Sequence, residues 1–400
     1  MKRRAGVGRA AAAVLVVLVI VLGVAATYAL SAARNTTTVT TTSVSTTTST
    51  PAGSPTTITS VSTATSVSTV TSTAPTSTTP TNNSASVVNI GYYANLNHAQ
   101  AVIGIPGGEF QDALGTSTKI QTQVFSSGPT EMTALLAGKL DLAFVGPDPA
   151  VNAYIASNGT GLEIIAGATS AGAEFVVTAS SGIASVKDLG GKTFAAPGLG
   201  NTQDVALRHY LQANGYSTTT NGGNVTVDDT SNSNIVTLFA TGKIDGAWVP
   251  QPWAAILLAD GGKLFLNEQA LWPDGQFSTA VLVARTAFLQ AHPDVVRDIV
   301  QADVQETIGI NDNLTAAAAA FNAQYAVLTG APLNASILTA AIPTLSFTYD
   351  PQETTVIQQA NYEVSLGFLT APLPSNIDNI FDLSILNGVL ISDGLPTVTN

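Results

Sequence analysis

The sequence has no cysteine among its 400 residues. This absence excludes disulfide bonds, zinc–thiolate sites, iron–sulfur clusters, thiol nucleophiles and a lipid-modified N-terminal cysteine. Histidine is also scarce, with three copies, and no H-E-x-x-H pattern or other metal-ligand spacing occurs. We therefore expect no metal site.

Charged side chains make up only 10% of the chain, where about a quarter is usual. Five of the fourteen basic residues lie in the first 34 positions, so residues 35–400 carry nine basic against twenty-six acidic side chains, a net charge of about −17. Nucleic-acid binding needs clustered Lys and Arg, so we expect no nucleic-acid partner. The hydrophobic share of 45% can still fill a sizeable core, and the length exceeds one ordinary domain.

The common motifs of nucleotide-binding proteins and hydrolases are missing too. No complete G-x-x-x-x-G-K-[ST] phosphate loop and no G-x-S-x-G nucleophile elbow is present. Gly198-Leu199-Gly200 begins like a dinucleotide fingerprint, but Gln203 stands where the third glycine belongs. We expect no cofactor, and we predict that the protein is not an enzyme.

Residues 1–34 are predicted to be a signal peptide or a membrane anchor. Residues 10–30 form an apolar run of about 21 residues behind a basic N-terminus, which at about 1.5 Å per residue spans a bilayer core of roughly 30 Å. A secretory core is usually about 7–15 residues long, so we favour an uncleaved anchor that tethers an extracytoplasmic protein to the membrane. A cleaved signal, leaving a secreted or periplasmic protein, is the alternative.

Residues 35–86 are almost wholly Thr, Ser, Val, Ala and Pro. This composition cannot pack a core, so it predicts a disordered or O-glycosylated stalk. The stalk would hold the folded part away from the membrane.

From residue 87 onward, short apolar strands alternate with helical stretches, which predicts βαβ units and a parallel sheet. The pattern runs twice. Gly138-Lys139-Leu140-Asp141 and Gly242-Lys243-Ile244-Asp245 each follow a predicted helix and precede a predicted strand. We therefore predict an α/β fold with two similar lobes.

The repeat also suggests where the lobes begin and end. We assign residues 87–176 and 277–400 to lobe 1 and residues 177–276 to lobe 2. Two strands, near 174–178 and 278–284, would cross between the lobes and form a hinge.

Residues 127–149 carry the strongest signal for a binding site. Ser127-Gly128-Pro129 begins a predicted helix, residues 142–145 form an apolar strand, and Gly146-Pro147-Asp148-Pro149 begins a second helix. Both helix N-termini lie at the carboxyl ends of parallel strands, where open α/β sheets bind ligands. Their free backbone N–H groups favour an anion.

Further candidates lie at other predicted helix starts. His98 could donate a hydrogen bond to an anionic ligand, carry a positive charge, or only close a turn. Asn201 and Thr202 follow Gly200 in a turn that could hold an anion or be purely structural. Trp253 could form the apolar wall of a pocket, whereas Trp248 fits core packing better.

Two acidic residues have a different possible role. Asp148 and Asp229 could pair with the amine of a zwitterionic ligand, although a surface position is the simpler interpretation of Asp229.

Several of these segments, taken together, resemble one family. In chain order they are Asn95-Leu96-Asn97-His98-Ala99, Ser127-Gly128-Pro129, Gly146-Pro147-Asp148-Pro149-Ala150, Lys187-Asp188-Leu189-Gly190-Gly191-Lys192-Thr193, Pro197-Gly198-Leu199-Gly200-Asn201-Thr202 and Trp248-Val249-Pro250-Gln251-Pro252-Trp253. Over about residues 87–395 the chain resembles the nitrate/sulfonate/taurine family of ABC-transporter solute-binding proteins. The motifs are most similar to the aliphatic-sulfonate branch.

The resemblance implies a periplasmic-binding-protein-like fold whose two α/β lobes close over one ligand and deliver it to ABC permease subunits in the membrane. The implied ligand is a small organosulfonate of the alkanesulfonate or taurine type. The alternatives are nitrate, bicarbonate or another small oxyanion and, as a different class, an enzyme on the same fold. We expect a monomer. The implied ligand-binding residues are Asn95, His98, Ser127, Gly128, Pro129, Gly146, Pro147, Asp148, Gly200, Asn201, Thr202, Pro250 and Trp253.

Overall fold

The computed structural model describes residues 37–49, 58–70 and 85–399 of the chain. The apolar run at 10–30 and the rest of the predicted stalk lie outside the described residues. Among those that are described, no helix combines the length and the hydrophobicity needed to cross a membrane. The chain divides into two units, Met1–Thr81 and Asn82–Asn400.

In the first unit, two strands are described, β1 (Thr37–Ser49) and β2 (Ile58–Val70). They are antiparallel and pair along their whole length. Thr and Val are β-branched and favour extended backbone, which accounts for strands in this composition. The sequence predicts disorder here, so the structure differs from the prediction over these two stretches.

The second unit contains two β-sheets. Its strands, in chain order, are β3 (Val87–Tyr92), β4 (Lys119–Val124), β5 (Leu142–Val145), β6 (Leu162–Ala171), β7 (Ala173–Val177), β8 (Thr193–Pro197), β9 (Thr226–Thr230), β10 (Gly246–Pro250), β11 (Lys263–Asn267), β12 (Ser278–Arg285) and β13 (Leu345–Phe347). The first sheet has the order β13-β6-β12-β5-β3-β4 and the second the order β11-β7-β10-β8-β9.

The two sheets have the same arrangement of strands. Three neighbouring strands are parallel in each, β4-β3-β5 in the first and β9-β8-β10 in the second. An antiparallel strand follows, β12 beside β5 and β7 beside β10. The prediction of two similar α/β lobes is confirmed, but the sheets are mixed because strands next to the chain crossings run in the opposite direction.

The repeated Lys-x-Asp motif has the same structural role in both lobes. The Asp141 carboxylate accepts a hydrogen bond from the Asn89 backbone N–H at 3.0 Å, and the Asp245 carboxylate accepts one from the Thr193 N–H at 2.8 Å. Each carboxylate therefore ties the loop before the third parallel strand to the central parallel strand. The motif therefore marks equivalent positions in the two lobes.

The helices pack against both faces of the sheets. In chain order they are α1 (Ala99–Gly107), α2 (Glu109–Leu114), α3 (Gly128–Leu136), α4 (Pro147–Ala156), α5 (Thr202–Ala213), α6 (Asn232–Ala240), α7 (Trp253–Ala259), α8 (Thr286–Ala291), α9 (Pro293–Asp312), α10 (Leu314–Thr329), α11 (Ala335–Ala341), α12 (Glu353–Leu366) and α13 (Ser384–Ser392). Trp248 is fully buried in the second lobe and stacks on Phe175, as the core interpretation of that residue predicts.

The chain crosses between the sheets at two neighbouring places. β6 ends at Ala171, whose φ is 63°, and Gly172 follows with a φ of 74°. The Thr279 hydroxyl, at the second crossing, donates a hydrogen bond to the Ala171 carbonyl at 2.8 Å. All of β7 belongs to the second sheet, so the first crossing lies at Gly172, a few residues before the predicted boundary at 176.

Candidate functional site

A cavity of about 200 Å³ lies between the two sheets. Each of the six parallel strands contributes to its wall a residue from its carboxyl end or just beyond: Tyr93, Phe125, Gly146, Pro197, Ser231 and Pro250. Ligands of open α/β sheets bind at this edge. We refer to this cavity as the cleft.

Helix N-termini from both lobes meet at the cleft. Asn95 precedes a 3-10 turn, Gly146 caps α4, Asn201 caps α5, and Ser231 caps α6. The Asn201 side chain accepts no hydrogen bond from its own helix, so the first N–H groups of α5 have no side-chain cap. The partial positive charges of these termini add in the cleft and favour an anion.

Among the residues that the structure describes, no Asp, Glu, Lys or Arg lines the cleft. The one titratable ring in contact with it, besides tyrosine, belongs to His98, which is fully buried. Burial lowers the pKa of His98 to about 3, although the nearby Phe144 carbonyl favours the charged form slightly. His98 is therefore neutral in this conformation, which favours the role of a hydrogen-bonding group over that of a cation.

The His98 ring is held in place by an aromatic stack. It lies on the Tyr93 ring with 4.5 Å between centroids. Neither ring nitrogen has a hydrogen-bond partner of good geometry in the described protein. An imidazole with one N–H and one free acceptor nitrogen is thus available to a ligand.

Behind Tyr93 lies a buried carboxyl group. Burial raises the pKa of Glu131 well above its usual range, and burial, with a smaller contribution from the adjacent Glu131, raises the pKa of Tyr93. Glu131 fits because Gly91 has no side chain: a Cβ there would lie 2.5 Å from Glu131 Oε1. Glu131 supports the wall from behind and does not line the cleft.

Three hydrogen bonds join segments of the two lobes around the cleft. The Gly128 backbone N–H donates to Asn201 Oδ1 at 2.8 Å, and the Trp253 indole donates to Asn95 Oδ1 at 2.6 Å. The Leu96 N–H donates to the Gln251 carbonyl at 3.1 Å. The lobes therefore stand in direct contact in this conformation.

The structure brings seven of the thirteen predicted site residues to the cleft wall: Asn95, His98, Gly146, Asn201, Thr202, Pro250 and Trp253. The other six lie outside the wall: Ser127, Gly128, Pro129, Pro147, Asp148 and Gly200. Gly128 is adjacent, but its N–H is taken by Asn201. Pro129 and Gly200 line a separate apolar groove together with Phe368.

Sequence reasoning missed twelve residues of the wall: Tyr93, Ala94, Asn97, Phe125, Ser126, Pro197, Gln203, Ser231, Asn232, Ser233, Thr279 and Thr329. Phe125 and Ser231 directly follow parallel strands, so the strand-end rule that found Gly146 applies to them as well. No local signal points to Thr329, which is the last residue of α10.

The two acidic candidates do not face the cleft. Asp229 accepts two hydrogen bonds from Arg208, at 2.8 and 2.9 Å. Asp148 is buried, and burial raises its pKa to about 7, with a smaller increase from the charge of Asp204. Neither carboxyl is placed to meet the amine of a ligand in the cleft.

Comparison with known proteins agrees with this architecture. Residues 82–323 match the NMT1-like family. The taurine-binding periplasmic protein of Escherichia coli is 28% identical over 179 residues, which are 43% of this chain and 52% of that protein. The chain spans about half the length of the curated relatives it matches.

Solved structures with the same fold include two transport proteins. The alkanesulfonate-binding protein SsuA from Xanthomonas axonopodis pv. citri, bound to MOPS, superposes with a TM-score of 0.60 at 20% identity, covering 75% of this chain and 99% of that one. The periplasmic nitrate-binding protein NrtA from Synechocystis PCC 6803 gives 0.65 at 13% identity, covering 78% and 91%. At these identities the likeness shows the fold, and it confirms the prediction of a periplasmic-binding-protein-like architecture.

Proposed function

The chain belongs to the NMT1-like family, and from this premise we propose that it is the substrate-binding component of an ABC importer. Its ligand would be a small organosulfonate held in the cleft between the lobes. The relatives that share the fold include a sulfonate-binding and a nitrate-binding protein, which supports the class of a small oxyanion.

The observation that carries the proposal is the cleft wall itself. Helix N-termini of both lobes meet there, and no Asp, Glu, Lys or Arg contributes to it. Each helix terminus stabilises a nearby anion by roughly 0.3–1 kcal/mol, and by more where the site is buried. Such a wall can hold an oxyanion through N–H, hydroxyl and amide groups without a basic side chain.

The shape of the wall favours an organosulfonate over a bare inorganic oxyanion such as nitrate or bicarbonate. Tyr93, Phe125 and Trp253 supply apolar faces beside the polar helix ends. An alkyl chain could pack on these rings while the sulfonate meets the N–H groups. Because no carboxylate lines the cleft, the ammonium group of taurine would have no direct counter-charge, so ethanesulfonate should bind at least as tightly as taurine.

The remaining parts of the proposal concern where and with what the protein works. It would be extracytoplasmic, tethered by residues 1–34 or released by their cleavage, and it would act as a monomer that docks on permease subunits. The crossings at Gly172 and Thr279 would serve as the hinge. We propose binding and release of an unaltered ligand, not catalysis.

The test is a calorimetric and thermal-shift screen of the full chain with taurine, ethanesulfonate, hexanesulfonate, nitrate and bicarbonate. A ligand at one hundred times its dissociation constant should stabilise the fold by about 2.7 kcal/mol. The bound compound should be recovered unchanged by mass spectrometry. Absence of stabilisation by all five would refute the oxyanion class, and a chemically altered product would favour an enzyme.

A further inference from the structure

A second cavity, of about 360 Å³, lies behind the first turn of α5. Its walls come from one face of α5, from residues 268–272 and from α12. Thr202 borders both this cavity and the cleft. We refer to it as the rear cavity, and nothing in the proposed function uses it.

Aromatic rings form much of the wall. His209 and Tyr362 stack with 3.6 Å between ring centroids, and Trp272 lies 5.7 Å from Tyr362 at an angle of 49°. Tyr210 adds a fourth ring. Burial lowers the pKa of His209, so this ring is neutral. Aromatic faces arranged at an angle attract cations through their quadrupoles.

Two polar side chains at the rear cavity, Glu268 and Gln359, present acceptor oxygens. Glu268 is 2% exposed, and its two oxygens accept hydrogen bonds from the indoles of Trp248 at 2.7 Å and Trp272 at 3.3 Å. Gln359 is 3% exposed; its amide nitrogen donates to the Ser278 carbonyl, which leaves Oε1 without a partner. No Lys or Arg lines the cavity.

Further carboxyl groups lie close to Glu268. The pKa of Glu268 is raised to about 8, mainly by burial and to a smaller extent by the charge of Asp148. Asp148 and Asp204 act in the same way on Glu363, which is buried on α12. Arg208 lies among these acids and is bonded to Asp204 and Asp229. A cation in the rear cavity would restore the ionised form of Glu268, which its two indole donors are already placed to stabilise.

We propose that the rear cavity binds a small organic cation with methylated or alkylated nitrogen, enclosed by the aromatic rings and paired with Glu268. A metal ion fits poorly, because the described residues contain no group of three or more His, Cys, Asp or Glu able to hold one. An anion would meet the acceptor oxygens of Glu268 and Gln359, and an alkane would leave Gln359 Oε1 buried without a partner.

The probes are choline and its uncharged isostere 3,3-dimethylbutan-1-ol, titrated calorimetrically into the full chain at pH 7.5. Choline should bind at least tenfold more tightly than the alcohol and should change the fluorescence of Trp272. Equal binding of the two probes, or no binding of choline, would overturn the proposal.

Glu268→Gln should weaken choline at least tenfold and should remove the proton release that accompanies binding, measured in buffers of different ionisation enthalpy. Asp274→Asn removes one negative charge at an exposed position outside the cavity and should leave affinity unchanged. Unaltered choline affinity in Glu268→Gln would contradict the proposal. Should that variant not fold, Gln359→Leu replaces it: this variant should weaken choline while keeping the proton release, and unaltered choline affinity would contradict the proposal. A sulfonate is titrated separately, so sulfonate binding in the cleft and cation binding in the rear cavity can be refuted independently of each other.

Discussion

Asn201 of the second lobe accepts a hydrogen bond from the backbone N–H of Gly128 in the first lobe, at 2.8 Å. Gly128 begins α3, and Asn201 stands at the N-terminus of α5, so one amide oxygen connects the starts of two helices. Gly128 has no room for a side chain, because a Cβ would lie 2.3 Å from Pro149 Cγ and 2.9 Å from Asn201 Oδ1. Because the two groups belong to different lobes, the bond requires the lobes to be close, and under the proposed function we expect it to act as a latch of the closed form.

Asn201→Leu should therefore impair closure more than folding. The substitution leaves the Gly128 N–H without its partner in the closed state, which typically costs about 1–3 kcal/mol when the group is buried. Sulfonate affinity should fall by roughly tenfold or more, with little change in the unfolding midpoint without ligand. The control is Asn221→Leu, an exposed asparagine of the same lobe. Calorimetry gives both affinities, and equal values for the two variants would show that the latch does not contribute.

His98 should affect binding and stability in opposite directions. Both ring nitrogens are buried without a partner of good geometry, whereas the ring itself packs on Tyr93. His98→Phe keeps an aromatic ring on Tyr93 and removes the two polar atoms. The free energy of unfolding should stay level or rise by up to about 1 kcal/mol, since buried unpaired polar groups destabilise a fold.

Ligand affinity in His98→Phe should nevertheless fall at least tenfold. Denaturant unfolding and calorimetry on the same preparation measure both effects. A variant that binds the sulfonate normally would remove His98 from the site, and a variant that loses stability and affinity together would point to a structural role.

The cleft residues that the sequence predicts are those that lie in short, recognisable sequence patterns, such as helix starts. Gly146 before two prolines and Asn201 after a glycine turn are typical helix starts, and both line the cleft. Asp141 and Asp245 reveal the two equivalent lobes because the same carboxylate-to-backbone bond recurs. Gln203 and Thr329 reach the cleft through tertiary packing, which no short stretch of sequence records.

The positions of predicted residues that lie outside the cleft wall also have physical causes. Ser127 occupies the N-terminus of α3 but makes no capping bond, and the neighbouring N–H is satisfied across the cleft by Asn201. Asp148 follows Pro147 in the first turn of α4, yet it is buried among other carboxyls, with Asp204 and Glu363 close enough to couple to it. Which face of a helix's first turn meets the ligand depends on how the second lobe docks.

Gly91→Ala should be destabilising because the side chains of Glu131 and Leu140 leave no room for a Cβ. The added Cβ would lie 2.5 Å from Glu131 Oε1 and 2.7 Å from Leu140 Cδ1. Overpacking of this kind usually costs about 1–3 kcal/mol. Glu131→Ala in the same chain should recover part of the loss, so the two substitutions should be non-additive.

The matched control for Gly91→Ala is Gly309→Ala. This glycine lies inside α9, where an added Cβ would meet nothing within 4 Å, and alanine there should stabilise by roughly 0.5–1 kcal/mol. Urea unfolding of all four variants measures the effects. Strictly additive losses for Gly91→Ala and Glu131→Ala would show that Glu131 is not the group that limits the space.

Stability should decrease with rising pH above neutrality, and Glu363 should be one of the buried carboxyls that cause it. Burial, followed by the charge of Asp148, raises the pKa of Glu363 to about 10, although Asn152 donates a hydrogen bond to it. Between pH 6.5 and 8 this carboxyl is protonated in the folded protein and ionised in the unfolded chain. The folded state then binds more protons, so the free energy of unfolding falls as pH rises, by about 1 kcal/mol per pH unit.

Glu363→Gln should flatten that slope by on the order of 1 kcal/mol per pH unit, because glutamine keeps an oxygen for Asn152 and does not titrate. Asp294→Asn is the control: its side chain is 86% exposed, and it should leave the slope as in the wild type. His98 has a pKa of about 3 in the folded state and about 6.5 when unfolded, so it opposes this slope near pH 6.5, to the same extent in the wild type and in both variants. Denaturant unfolding at pH 6.5, 7, 7.5 and 8 measures the slopes, and parallel slopes for the wild type and Glu363→Gln would mean that Glu363 is already ionised in the folded protein.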